Sequence, residues 1–174
     1  MLDKLANIGE SSFYWLALAL LALSSEAVAL FYQYVLEIMP CVMCIQVRLW
    51  TTALIMVALL VLLLRRLRFM FMAGHLLTVV IAAGLVERSY QLLGTERGFV
   101  FGDCGFDLGL PDWFSPDKWF PVLFEVQTSC GYTPELLFGI TMAEALIVMS
   151  GVFMLVSLAM SVAAIARVQK GAGR

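Results

Sequence analysis

The sequence predicts an all-α membrane protein: a four-transmembrane-helix antiparallel bundle with two loops on one face, the second carrying a short amphipathic interfacial helix. Three observations predict it. Of the 174 residues, 62% are hydrophobic and 14% charged, against about a quarter charged in soluble domains, so a water-soluble fold of this length could not hide its apolar side chains. Those side chains fall in four blocks, approximately residues 13–34, 44–64, 69–87 and 136–165, each near or beyond the roughly 20 residues that cross a bilayer. Finally, the basic residues are distributed unevenly between the two faces of such a bundle. The termini and the second connection share a side that carries Lys4, Arg65, Arg66, Arg68, Arg167, Lys170 and Arg174. The other side, with loops 35–43 and 88–135, carries Arg48, Arg88, Arg97 and Lys118 among a larger number of acids. Positive-inside bias then puts both termini in the cytoplasm and all four cysteines in the opposite, oxidising compartment. Residues 1–174 read as a single membrane domain, and nothing in a net charge of −2 suggests a nucleic-acid surface.

Residues 1–12 are a short mixed-charge lead with no visible chemistry. The first span imitates a secretory signal, with Ala27-Val28-Ala29 in the place of a cleavage site. Asp3 and Glu10 outnumber Lys4 ahead of it, though, and the apolar run continues through Tyr32, so it is expected to be retained. Glu26 lies in this span about two turns from its far end. A carboxyl at that depth is costly and is expected to face the bundle interior, either below the dithiol or bonded to a neighbouring helix by way of Ser24 or Ser25.

The short first loop delivers Pro40-Cys41-Val42-Met43-Cys44-Ile45-Gln46-Val47-Arg48. Proline disfavours helix in the residue before it, so the second helix is expected to begin within the Cys-x-x-Cys, where the positive end of its dipole favours thiolate. Arg48 is four residues beyond Cys44, on the same face, and can stabilise a Cys44 thiolate or an anionic acceptor. As a purely interfacial residue it would instead snorkel to phosphate. After the Arg65–Arg68 turn, the third span holds the single histidine, His75, too close to the cytoplasmic end to serve the dithiol and expected to be packed or facing headgroups. Glu87 and Arg88 read as an interface pair. The second loop is too small for a core of its own; its segment 111–124 combines Trp113, Trp119 and several Phe with charge, which suits the membrane–water boundary. In the last span Ser150, Gly151, Ser157 and Ser161 allow close helix approach.

Four cysteines allow three pairings. Cys41–Cys44 would close almost no loop, so such a bond is chemical rather than structural. Cys104–Cys130 could be a plain staple worth about 3 kcal/mol. A zinc site is disfavoured because structural sites use two closely spaced pairs, and no metal is expected.

These features together, Pro40-Cys41-Val42-Met43-Cys44 opening the second of four spans, Arg48 a turn later, and a second pair flanking Asp117-Lys118-Trp119-Phe120-Pro121, resemble the DsbB family of bacterial disulfide-forming membrane proteins. The similarity extends to Trp15, Glu26 and Gln33. It implies a bacterial inner-membrane, multi-pass thiol oxidase with periplasmic cysteines. A reduced DsbA-like, thioredoxin-fold oxidase would attack Cys104, and the freed Cys130 would attack Cys41. Cys44, helped by Arg48, would then reduce ubiquinone or menaquinone from the membrane pool. Glu26 and Gln91 are weaker candidates for the quinone site. Gln91 enters because family members carry a histidine shortly after the third span, and this chain has none there. A paralogue serving another partner oxidase, or a non-enzymatic four-span scaffold with structural disulfides, are the competing readings.

Overall fold

Ser11 starts the first long helix. Its backbone is extended (φ −74°, ψ 138°) and its hydroxyl accepts the Tyr14 N–H at 3.3 Å, an N-cap that ends the preceding turn. The computed structural model describes residues 2–100, 105, 107–111, 113–130, 134–137 and 139–172. In chain order its helices are Leu2–Gly9 (α1), Ser12–Tyr34 (α2), Val42–Leu63 (α3) and Arg68–Arg97 (α4), followed by two single turns, Pro116–Trp119 (α5) and Pro121–Phe124 (α6). A small antiparallel hairpin, Glu135–Leu137 (β1) and Ile140–Thr141 (β2), leads into Met142–Ala172 (α7). The helices α2, α3, α4 and α7 are long and apolar enough to cross a membrane, which makes the chain a four-span, multi-pass bundle.

The bundle is ordered by contact: α2 packs on α3, α3 on α4, and α4 on α7. Trp15 is fully buried among Leu18, Ala19, Ala58 and Val61, and a second cluster of Ala22, Val47, Leu54, Ile81 and Leu85 continues the seam. Small residues allow the close approach. A Cβ at Gly84 would fall inside the Trp50 indole, so glycine there lets α4 lie against α3. Leu20, Leu21, Leu63, Val148, Val152 and Leu155 point outward, an apolar exterior that suits hydrocarbon rather than water.

Three boundaries differ from the sequence expectation. Residues 2–9 of the lead are helical, and α1 folds back against α7, joined to it by Lys170–Asp3 (3.0 Å) and Arg167–Glu10 (3.3 Å). The helix of the third span, α4, does not stop near residue 87 but runs to Arg97, where Gly98 with φ 74° supplies the left-handed cap. The fourth span starts at Met142 rather than near residue 136, since the preceding residues form the hairpin around Gly139 (φ 77°). The interfacial segment takes the form of the two single turns α5 and α6, with Trp113, Trp119, Phe120 and Val122 exposed.

Candidate active site

Cys41 caps α3. Its backbone is extended (φ −84°, ψ 169°) and its sulfur accepts the Cys44 N–H at 3.4 Å, as a Ser or Asp cap would. The motif thus sits at the helix start that the sequence predicts, and Cys41 Sγ and Cys44 Sγ lie 2.8 Å apart. Pro40 ties this end to the second loop. Its carbonyl accepts the N–H groups of Gln127 (3.0 Å) and Thr128 (3.3 Å), and Cys41 pairs with Thr128 in an isolated parallel bridge. Cys130, two residues on, is thereby brought into hydrogen-bond contact with the Cys41 thiol. Cys130 also packs on the apolar cluster of Cys41, Val42, Met43, Ile45, Leu92 and Phe124. The Cys130 hydrogen bond lowers the Cys41 pKa, but the bond with Cys44 and burial outweigh it and push the thiol up to about 12. Cys104, and with it the expected Cys104–Cys130 pair, lies outside the described residues.

Arg48 does not snorkel. It is 6% exposed, and its guanidinium bonds inward: Nη1 donates to Gln33 Oε1 (2.5 Å) and to the Leu123 carbonyl (3.2 Å), and Nη2 to the Ala29 carbonyl (2.9 Å). One side chain therefore joins α2, α3 and α6. Tyr34 adds a parallel tie, its hydroxyl donating to the Val122 carbonyl at 2.6 Å. Gln33 and these carbonyl partners were not signalled by spacing, since Leu123 is 75 residues from Arg48. Gln33 was signalled by the family resemblance, but its bond to Arg48 was not.

Beside the dithiol, a cleft of about 100 Å³ is lined by Glu26, Ala29, Cys44, Arg48, Met142 and Leu146, with Tyr32, Pro40 and Thr51 at its margins. Its walls are mainly apolar, with one cation, one acid and one thiol among them. Glu26 faces this interior as expected, with Arg48 and Thr52 as its electrostatic neighbours. Ser24 and Ser25 do not bond Glu26 to a neighbouring helix, both hydroxyls donating to the Leu21 carbonyl of their own helix, although Ser25 also lines the cleft. Gln91 is not brought to the cleft. It accepts from Arg88 Nη1 (3.0 Å) and donates to Glu87 (3.3 Å), a ladder along α4 that also accounts for the Glu87/Arg88 pair. His75 is buried against Trp15 and Tyr14, its Nε2 3.3 Å from the Gly9 carbonyl, remote from the dithiol. Among the described residues no group of three or more His, Cys, Asp and Glu side chains is arranged to hold a metal.

Comparison with known proteins agrees with this arrangement. A family profile described as disulfide bond formation protein DsbB matches residues 11–160. Proteins named disulfide bond formation protein B are similar along most of the chain. The one from Shewanella loihica is 32% identical over 84% of this chain and 86% of its own length. That from Haemophilus influenzae is 29% identical over 98% and 97%, and that from Shewanella amazonensis 30% identical over 91% and 94%. The dithiol-capped helix, the four spans and these matches together make the chain a membrane oxidoreductase of disulfide bond formation, a member of the DsbB family.

Proposed function

We propose that the chain reoxidises a periplasmic DsbA-like, thioredoxin-fold dithiol oxidase and passes the electrons to ubiquinone or menaquinone in the bacterial inner membrane, with both termini cytoplasmic and the cysteines periplasmic. The observation that carries this reading is the sequence of contacts Cys130, Cys41, Cys44, cleft: the loop cysteine touches Cys41, and Cys44 walls the cavity that also holds Arg48. The Lys and Arg distribution supports the orientation.

In this reading both pairs begin oxidised. A thiolate of the partner bonds to Cys104 and breaks the Cys104–Cys130 bond, releasing Cys130 as thiolate. Cys130 then bonds to Cys41 and breaks the Cys41–Cys44 bond, which leaves Cys44 as thiolate. The second partner thiol displaces Cys104 and completes the partner's disulfide. Cys104 in turn reclaims Cys130, freeing Cys41 to rejoin Cys44 as the electron pair leaves. A bound quinone supplies the two-electron, two-proton sink, and the net change is one partner dithiol oxidised and one quinone reduced. Within the protein, Arg48 stabilises the negative charge that develops at Cys44 and at the acceptor's edge, Glu26 can exchange a proton with the cleft, and Ala29, Met142 and Leu146 exclude water.

The experiment is quinone reduction by purified protein supplied with a reduced partner oxidase, followed by quinone absorbance. Turnover is expected, and its absence would favour a scaffold. Trapping orders the attack: Cys130→Ala should accumulate a mixed disulfide with the partner and Cys104→Ala should form none, whereas like behaviour would refute the order.

A further inference from the structure

We infer that Gln33 is a positioning residue that holds Arg48 at the cleft without cancelling its charge; the inference rests on the quinone-reducing reading of that cleft. An arginine within a membrane span is expensive, and the usual remedies are an acid partner, backbone carbonyls or a water-filled cavity. Arg48 uses carbonyls and adds an amide in the place of an acid. Its three hydrogen bonds go to an amide oxygen and two backbone carbonyls. Among the described residues no carboxylate lies within 4.0 Å of it, although Glu26 is close enough to be felt. Neutral dipoles solvate the guanidinium and leave its positive charge facing the cavity.

Gln33 supplies the part of that arrangement that sequence can change. It lies one helical turn beyond Ala29 on α2, so its side chain and the Ala29 carbonyl form a two-point cradle on one face. Its oxygen must face Arg48, because the reversed amide would set donor against donor. The other end of the amide is then in deficit: Nε2 is buried and has no protein partner among the described residues. A buried unmatched donor is destabilising, and an apolar side chain of similar length would avoid it. Packing therefore does not explain Gln33, while the need for a strong neutral acceptor does.

Gln33→Glu separates the two roles, because it keeps the shape and strengthens the bond to Arg48 while neutralising it. A structural tie would be preserved or improved. A charge-preserving role predicts that kcat for quinone reduction falls roughly 10- to 100-fold with the melting temperature unchanged or raised. It also predicts that activity recovers as pH falls and the new carboxyl protonates, a limb absent from the parent protein. Gln33→Leu should instead raise KM for quinone, and Gln33→Asn should restore part of it. The first exchange, in which the partner thiolate bonds to Cys104 and develops no charge at Cys44, should match the parent in all three when quinone is absent. A Gln33→Glu protein that reduces quinone at the parent rate would overturn the role of Gln33 alone. A parent protein that exchanges disulfides yet reduces no quinone would overturn the reading of the cleft and this inference with it.

Discussion

The His75 end of the bundle and the Arg48 site treat charge in opposite ways. At the His75 end, Lys170 meets Asp3 and Arg167 meets both Glu10 and Asn7, and Lys170 holds the Asp3 carboxyl below its usual range. Trp15 and His75 close on one carbonyl, that of Gly9. The hydrogen bonds of the buried Arg48 go to neutral oxygens, with Glu26 acting on it from outside ion-pair distance. Charges of opposite sign in contact make an anchor, whereas a charge hydrogen-bonded to dipoles keeps more of its field for a reacting group. The difference separates the part of the molecule that is tied down from the part that does chemistry.

Substitutions can break that contrast. The largest expected effect is Cys44→Ser, which should abolish quinone reduction while leaving the thermal midpoint of the detergent-solubilised protein in place, because a Cys41–Cys44 bond closes almost no loop. At the other end, Trp15→Ala empties a fully buried site and should cost about 3–5 kcal/mol in denaturant unfolding, with turnover per folded molecule near that of the parent. The smallest effect concerns Cys41, whose thiol is held up to about 12. In the reduced protein its alkylation should remain slow near neutrality and rise about tenfold per pH unit well past the range where an ordinary cysteine levels off. A plateau near pH 9 by mass-spectrometric alkylation timing would contradict the placement of Cys41 in the apolar cluster.

The four-span fold could be read in the sequence; this contrast could not, and for a physical reason. Four apolar blocks and a proline ahead of a Cys-x-x-Cys are local signals, and α2 and α3 follow them closely. The helix α1 depends on packing against α7, more than 130 residues away, and an eight-residue helix has little stability alone. The late start of α7 follows from a hairpin that only tertiary context selects. Arg48 was legible as a cation beside Cys44, but its partners were not, since two of them are backbone carbonyls that carry no residue-type signature. Gln91, matched by position to the family's histidine, bonds to Glu87 and Arg88 along its own helix, a partnership that the positional match carried no sign of.

The clasp at Pro40 has a kinetic consequence. Two N–H groups of the loop converge on the Pro40 carbonyl, and the Val122 and Leu123 carbonyls accept from Tyr34 and Arg48, so the loop is held against both α2 and α3. While it is held, Cys130 reaches Cys41 as a tethered neighbour, with the effective concentration of a short intramolecular link, on the order of millimolar. In the proposed relay, a soluble thiol would have to match that concentration to compete for Cys41. The clasp therefore favours the internal route for electrons over capture by thiols from solution.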